Sequence, residues 1–491
     1  MRGCPDGTHE GAATDNLPAM SELTRTSVVD LAASLRSREL SAVELLDACL
    51  EEVDRLNDEL NAVIWRDDDA ARTAAQDADK RLADGDDAPF LGVPMPIKDL
   101  TEVHGQPLTY GSRGRPDTPW EGPNELIVDS FVRAGFVLAC RTNTPEFGHI
   151  TMTENLRYGP TRNPWDPSLT PGGSSGGAAS ATAAGMFPAA HGNDGGGSIR
   201  IPASFCGLVG LKPSRARIPR LQTSWQGGVV EGVVTRSVLD TAAILDVVAG
   251  PDPLAWNNAP APERPFRDEV GADSGKLRVG LMDTGPFGMP TDPDCSEAAR
   301  RAARALEKLG HSVEPVELPT ISEELVDPFN IMVAASLGEH KDEMDWDQVE
   351  PHIAYQRGAG QHVSCFDYIF AMKQMERMSR DLIAPFVRDF DVLVTPTTAI
   401  TPPPAGVTLE IEHAHPEAPA EAVIACVAFC AFCNVTGLPG ISLPVHWTES
   451  GVPVGAQLVG GPWQEATLLR LASALERALP WAEREPSLAS A

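Results

Sequence analysis

Long hydrophobic runs are missing from this 491-residue chain. No stretch of eighteen apolar residues occurs, so the sequence predicts no membrane-spanning helix. The first 19 residues carry one arginine but no apolar segment, which excludes a secretory signal of the usual kind. We expect residues 1–19 to form a disordered leader, with Met20 as an alternative start.

Basic residues are scarce as well. The chain holds 39 Lys and Arg against 69 Asp and Glu, which gives a formal net charge of −30. Such a chain repels phosphate backbones and anionic lipid surfaces, so we expect neither nucleic acid nor a membrane as partner. The acidity is typical of a solvated surface and decides little about the fold.

Cysteines are odd in number and scattered. Nine of them in this arrangement indicate reduced thiols in a cytoplasmic protein, not a disulfide framework. Cys426, Cys430 and Cys433 have the spacing of one helix face and could bind a soft metal, but their apolar neighbours favour a buried core. His413 and His415 also could bind a metal, yet their Pro-rich acidic loop favours solvent. The sequence therefore predicts neither a metal nor a cofactor.

Helix and strand patterns alternate along the chain, and 42% of the residues are hydrophobic, enough for a large core. Residues 277–317 predict a strand, a helix and a strand, either as a smaller α/β subregion or as a continuation of the main sheet. Residues 320–390 are predicted to be mainly helical. In LGVPMPIKDL, two prolines limit the segment to an edge or irregular strand. Its lysine, Lys98, would reach solvent if the segment stood alone.

Two glycine clusters between Gly172 and Pro213 each present a serine: Ser174 in GGSSGG and Ser198 in DGGGSIR. We predict loop, helix, strand and loop here. A flexible linker is disfavoured by the apolar segments that follow, and a phosphate loop lacks its Lys-Ser/Thr. The Gly-x-Ser-x-Gly pattern of a nucleophile elbow requires a preceding strand, whereas residues 163–167 are predicted to be loop.

Together these residues resemble the amidase signature family of serine hydrolases. The similarity rests on GGSSGG, on DGGGSIRIPASFCGLVGLKP with its serine 24 positions later (198 − 174), and on IKDL around Lys98. It extends from about Met20 to the end of the chain. It implies an α/β fold with one large mixed β-sheet covered by helices on both faces. It also implies one domain over 20–491, with a catalytic core at about 90–250 and a smaller pocket-lining region at about 276–400.

The resemblance also implies the site residues. Ser198 is the expected nucleophile, Ser174 follows a cis peptide bond from Gly173, and buried Lys98 is the expected base because burial lowers the pKa of an amine. Further expectations concern the second glycine cluster and its neighbours: backbone N–H groups of Gly195, Gly196, Gly197 and Ser198 as oxyanion hole, Asp194 paired with Arg200 as loop support, and a structural role for His191.

The implied activity is hydrolysis of the C–N bond of a small-molecule amide through an acyl-enzyme, by a monomer or homodimer. HGND, IPAS and ALPW are similar to the branch that contains 6-aminohexanoate cyclic dimer hydrolases and aryl acylamidases. Esters and carbamates share the acyl-transfer path, so esterase and urethanase activities are included in this expectation.

Two alternatives stay open at this point. One is the A subunit of a glutamine-dependent tRNA amidotransferase, although Ile201 and the segment 214–217 depart from its usual glutamine and Tyr-Gly-Arg stretch. The other is a binding protein that keeps the fold without catalysis, although all three expected catalytic residue types are present.

Overall fold

A computed structural model describes residues 20–318 and 323–489. The leader predicted for residues 1–19 lies outside these residues. Helices and strands alternate, as predicted. The strands are β1 (Val63–Arg66), β2 (Pro94–Lys98), β3 (Val137–Thr142), β4 (Ala189–Asp194), β5 (Val209–Lys212), β6 (Val230–Thr235), β7 (Arg278–Leu281), β8 (Ser312–Pro315), β9 (Val392–Pro396), β10 (Gly440–Trp447) and β11 (Pro453–Gly460).

Sixteen α-helices occur within the described ranges. They are α1 (Met20–Leu23), α2 (Val28–Ser37), α3 (Ala42–Leu60), α4 (Asp68–Ala83), α5 (Leu126–Ala134), α6 (Gly176–Ala184), α7 (Arg200–Cys206), α8 (Val238–Val248), α9 (Pro293–Lys308), α10 (Glu323–Ser336), α11 (Pro351–Gln361), α12 (Cys365–Arg388), α13 (Val407–Ala414), α14 (Glu421–Val427), α15 (Ala431–Thr436) and α16 (Glu465–Ala478). Short 3-10 helices span Glu146–Gly148, Trp225–Gly227, Phe266–Glu269, Pro286–Gly288, Leu337–His340 and Ser487–Ala489. Within residues 20–318 and 323–489, no helix has both the length and the apolar composition needed to span a bilayer.

The large mixed sheet is confirmed. Eight strands lie in the order β4-β6-β5-β10-β11-β9-β7-β8, with antiparallel pairs from β4 to β9 and parallel pairs β9-β7 and β7-β8. Neighbouring strand residues point to opposite faces. On β6, Val233 packs in an apolar cluster with Ile244 of α8, whereas Val234 packs in another with Ala179 of α6 and Ala203 of α7. Helices therefore cover both faces.

The segment from β7 to β8 was predicted either to form a smaller α/β subregion or to continue the main sheet. Both strands belong to the large sheet, and α9 connects them, so this unit continues the main sheet. The prediction of a mainly helical stretch after it is confirmed by α10, α11 and α12.

A second, three-stranded sheet holds the lysine strand. Its order is β1-β3-β2, and β2 lies at the edge, parallel to β3. The prediction of an edge strand is confirmed, since Pro94 and Pro96 have no N–H to give to a second neighbour. The open edge of β2 meets β4 of the large sheet, where the backbone N–H of Lys98 donates to Nδ1 of His191 (3.3 Å).

The prediction of one helix through Cys426, Cys430 and Cys433 is wrong, because the chain forms α14 and α15 with a break between them. Outside groups take up the backbone carbonyls at the break: Arg200 donates to the carbonyl of Cys430 (3.1 Å) and Gln457 to that of the preceding residue (2.6 Å). The expected core placement is confirmed, since all three thiols are free and buried.

Candidate active site

Lys98 ends β2 and points into the interior instead of reaching solvent. Its side chain is fully buried, and its Nζ lies 2.7 Å from Oγ of Ser174. Ser174 belongs to the loop that precedes α6, and the peptide bond from Gly173 to Ser174 is cis. The structure thus brings together two residues that are 76 positions apart in the sequence.

Two further groups contact the Lys98 amine. Oγ of Ser175 lies at 2.9 Å and Oδ1 of Asn193 at 2.7 Å, so Nζ has three polar neighbours. Burial lowers the pKa of Lys98 to about 7, although the charges of Glu231 and Asp194 oppose this shift. A substantial fraction of the amine is therefore neutral near neutral pH.

The hydrogen-bond pattern fixes where the lone pair of a neutral amine points. Such an amine has two N–H donors and one acceptor lone pair. Oδ1 of Asn193 can only accept, and the hydroxyl of Ser175 donates its own proton to the backbone carbonyl of Asn193 (3.2 Å). Both N–H donors of Lys98 are thereby assigned. The lone pair faces the hydroxyl of Ser174.

His191 lies within β4 and joins the lysine strand to a buried acid. Its Nδ1 accepts from the backbone of Lys98, so its Nε2–H donates to Glu231 (2.9 Å). Burial lowers the pKa of this histidine, against the opposing effect of Glu231. The contacts agree with the structural role expected for His191.

Ser198 lies in the turn between β4 and α7, and Asp194 organises this turn. Its carboxylate accepts from the backbone N–H groups of Gly197 (2.9 Å) and Ile199 (3.1 Å). Arg200 donates to the same carboxylate through Nη2 (2.8 Å) and Nε (3.0 Å), and both side chains are fully buried. Burial alone would raise the pKa of Asp194, but the guanidinium outweighs it and holds the carboxyl ionised.

Arg200 ties the turn to the rest of the large sheet. Besides Asp194, it donates to Oε1 of Gln457 (2.7 Å) and to Oδ1 of Asn434 (2.8 Å). The amide of Asn434 donates in turn to the carbonyl of Asp194 (2.8 Å). The expected pairing of Asp194 with Arg200 is thus present, within a larger buried network.

The N–H groups of the turn differ in availability. That of Gly197 already donates to Asp194, so it is not the free oxyanion donor that the resemblance implied. Among the described residues, no hydrogen bond is found from the N–H groups of Gly195, Gly196 or Ser198. These three remain available to a ligand.

Two glycines are required by space. A Cβ on Gly173 would lie 2.9 Å from the backbone carbon of Met152, where nothing can move aside cheaply. Gly197 has a φ of +127°, and its Cβ would lie 2.7 Å from Ile201 and 2.8 Å from Cys430. No other residue type fits either position without displacing its neighbours.

Ser174 and Ser198 line one cavity of about 300 Å³. Asn193 and Gly195 lie beside them, whereas Lys98 is behind Ser174 and does not reach the cavity surface. The walls include four aromatic side chains, four acidic side chains and one arginine. These wall residues are Tyr110, Trp120, Phe147, Trp225, Glu102, Glu125, Glu339, Glu343 and Arg220.

Sequence reasoning missed three contributors to this centre: Ser175, Asn193 and Glu231. Ser175 is adjacent to the predicted serine, and Asn193 stands in the quoted HGND segment, so both carried a weak local signal. Glu231 is 40 positions from its partner His191, and only the pairing of β4 with β6 places the two together.

The histidines of the Pro-rich segment differ in placement. His415 is 68% exposed, as predicted. The prediction for His413 is wrong, because only 20% of its side chain is exposed and its Nε2 lies 3.4 Å from a carboxylate oxygen of Glu350. The partner residue lies 63 positions earlier, immediately before α11, and local sequence gives no sign of the contact.

Comparisons with known proteins give relatives over almost the whole chain. The family model described as Amidase matches residues 44–469. The 6-aminohexanoate-cyclic-dimer hydrolase of Paenarthrobacter ureafaciens is 37% identical over 482 residues, which cover 92% of this chain and 95% of that protein.

Solved structures agree. A 6-aminohexanoate cyclic dimer hydrolase complexed with substrate has a TM-score of 0.87 at 32% identity, over 95% of this chain and 99% of that chain. A bacterial aryl acylamidase of the amidase signature family has a TM-score of 0.85 at 25% identity, over 94% and 98%. By sequence, fold and coverage, the chain belongs to the amidase signature family of hydrolases that act on carbon–nitrogen bonds.

Proposed function

We propose that this protein hydrolyses the C–N bond of a carboxylic amide, with Ser198 as nucleophile, Ser174 as proton relay and Lys98 as base. One observation carries the proposal. The amine of Lys98 lies 2.7 Å from the hydroxyl of Ser174, and that serine shares a cavity with Ser198. An amide needs an activated nucleophile and a proton for its leaving nitrogen, and this arrangement can supply both.

In the acylation step, Lys98 takes the proton of Ser174, which takes the proton of Ser198 as its Oγ attacks the carbonyl carbon. The N–H groups of Gly195, Gly196 and Ser198 stabilise the oxyanion. When the C–N bond breaks, the proton returns through Ser174 to the departing amine. A water molecule then attacks the acyl-enzyme through the same relay, which releases the carboxylic acid and restores Ser198.

The aromatic walls support an aryl or cyclic amide as substrate. Phe147 and Trp225 face the cavity that holds both serines, and such walls favour apolar groups next to the scissile bond. The two named relatives, a cyclic dimer hydrolase and an aryl acylamidase, have substrates of these classes. Aryl carbamates and esters undergo the same acyl transfer and belong to the proposed range.

Ser198→Ala tests the assignment of the nucleophile. With a nitroanilide, a cyclic amide and an aryl carbamate, we expect wild-type protein to turn over at least one, and a fluorophosphonate to label Ser198. The alanine variant should lose both, with an unchanged circular dichroism spectrum. Ser180→Ala is the matched control, because Ser180, on α6, is also buried but donates to the carbonyl of Arg162 and does not line the cavity.

Two outcomes would contradict the proposal. Near-normal turnover by Ser198→Ala would remove the nucleophile, and a label on any other serine would reassign it. Inertness of the wild-type protein toward all three substrates would reject the substrate classes.

The alternative of a tRNA amidotransferase A subunit requires a partner protein and glutamine. Ile201 packs in an apolar cluster with Met152 and Cys430, where a glutamine amide would need buried hydrogen-bond partners. Amide turnover by the isolated chain, without glutamine, separates the two functions.

A further inference from the structure

A cluster of metal-ligand types lies where α11 meets α13. Glu350 immediately precedes α11, His352 is in its first turn, and His413 is near the end of α13. Oε2 of Glu350 lies 3.6 Å from Nδ1 of His352 and 3.4 Å from Nε2 of His413. One ligand atom from each residue falls within 4.8 Å of the other two.

His352 has no explanation as an ordinary core histidine. Its side chain is 1% exposed, and neither ring nitrogen has a hydrogen-bond partner among the described residues. Buried polar atoms are nearly always satisfied, so an orphaned imidazole points to a ligand.

The carboxylate of Glu350 is oriented toward the two histidines. Its Oε1 accepts from the backbone N–H of Leu156 (2.7 Å), which leaves Oε2 facing the imidazoles. The side chain is 2% exposed, and its Oε2 lies within 3.6 Å of a ring nitrogen of each histidine. A ligating carboxylate held by a backbone donor through its other oxygen is the arrangement typical of protein metal sites.

We propose that Glu350, His352 and His413 bind one divalent transition-metal ion, with zinc as the expected occupant. Two imidazoles and a carboxylate are ligands that zinc accepts at about 2.0–2.2 Å, so tetrahedral ligand atoms lie about 3.3 Å apart. Two of the three separations, 3.4 and 3.6 Å, are already close to this value. His413 is 20% exposed, which gives the ion an entry path and leaves the fourth position to water.

The ion would join α11 to α13 and so stabilise one wall of the catalytic cavity. Gln356 of α11 lies 2.7 Å from Nδ1 of His149, and His149 lines the cavity. The site is separate from the proposed catalytic serines and does not depend on the proposed function.

The test uses the full chain, purified without a histidine tag and freed of metal with a chelator. Zn²⁺ alone is then added in a titration calorimeter. We expect one ion per chain. His413→Ala removes a ligand, so it should weaken zinc binding at least about 100-fold, which is the largest loss typical of removing only a residue that hydrogen-bonds to a ligand. His415→Ala is the matched control, two residues away and exposed, and should bind zinc as wild type does.

A spectroscopic measurement on wild-type protein covers the case in which a variant fails to fold. Co²⁺ in the site should give the visible bands of a four-coordinate ion without a thiolate charge-transfer band, which excludes binding by the cysteines. Glu350→Gln, which keeps the shape of the side chain, should lose these bands and the thermal stabilisation by zinc.

The proposal is overturned if wild-type protein binds neither ion above the level of a surface histidine. It is equally overturned if the cobalt spectrum shows thiolate ligation, or if folded His413→Ala and Glu350→Gln both bind zinc as wild type does.

Discussion

The protonation of Lys98 should control the pH dependence of catalysis. The amine is fully buried, and burial lowers its pKa to about 7 from 10.5, against the opposing charges of Glu231 and Asp194. Only the neutral amine can accept a proton from Ser174. We therefore expect kcat/KM to rise with pH through about 7 and to level off above it.

The size of the effect follows from the fraction of neutral amine. With a pKa of about 7, roughly half of the enzyme is competent at pH 7, about one tenth at pH 6 and about one hundredth at pH 5. On a logarithmic plot the acidic limb should fall tenfold per unit of pH, as expected for one titrating group.

The lowered pKa of Lys98 also makes the free energy of unfolding depend on pH. Below about pH 7 the lysine is charged in both folded and unfolded chains, and the full burial penalty is present. Between about pH 7 and 10.5, Lys98 is protonated in the unfolded chain but neutral in the folded chain, so the free energy of unfolding rises with pH. The whole difference is about 5 kcal/mol at about 1.4 kcal/mol per unit. Lys98→Met should therefore lower the pH dependence of the unfolding free energy in this window while abolishing activity.

The assay is kcat/KM for a nitroanilide from about pH 5 to about pH 9, normalised by active-site titration with a fluorophosphonate. Lys212→Met is the matched control, because Lys212 is also fully buried with its pKa lowered to about 8, yet its Nζ donates to the carbonyl of Pro213 (2.8 Å) and not to a catalytic serine. The Lys212→Met variant should show the same acidic limb in its kcat/KM profile as the wild-type protein. A flat profile across neutral pH, or an unchanged limb in Lys98→Met, would refute the role given to this amine.

Two further variants test the surroundings of the catalytic set. Asn193→Asp places a carboxylate 2.7 Å from Nζ of Lys98, which favours the charged amine; the activity limb should move to higher pH, and an unmoved limb would contradict the contact. Asp194→Asn leaves the guanidinium of Arg200 buried without its counter-charge and should cost about 3–5 kcal/mol in chemical denaturation. The exposed pair of Asp77 with Lys80 is its control: Asp77→Asn should leave the denaturation midpoint near wild type, and equal midpoints for the two variants would contradict this reasoning.

Local chemistry let the sequence predict most elements and the edge position of the lysine strand. Prolines disfavour a central strand, and Pro94 and Pro96 together indicated the edge position of β2. The catalytic assignment had a different basis. It came from family resemblance, since nothing in the residues around Lys98 alone distinguishes a buried amine from one that reaches solvent.

What local sequence could not predict depends on contacts between distant segments. The break at Cys430 arises because Arg200, 230 positions earlier, takes up its carbonyl. His413 is partly buried where it meets Glu350, the residue immediately before α11. In each case the packing of separate elements brings the partner residue into contact. Helical spacing and composition do not predict such contacts.

The neutral lysine depends on charges that are cancelled nearby. Asp194 and Glu231 both raise the pKa of Lys98, and unopposed they would keep the amine protonated. Each acid has a cation of its own: Arg200 lies 2.8 Å from Asp194, and Arg220 lies 3.2 Å from Glu231. The positive charges of the two arginines lie next to the acids that oppose the shift, and burial remains the largest influence on the pKa of Lys98. The acids remain useful as acceptors for the turn of Ser198 and for His191, so structural support and a neutral base coexist in one dry interior.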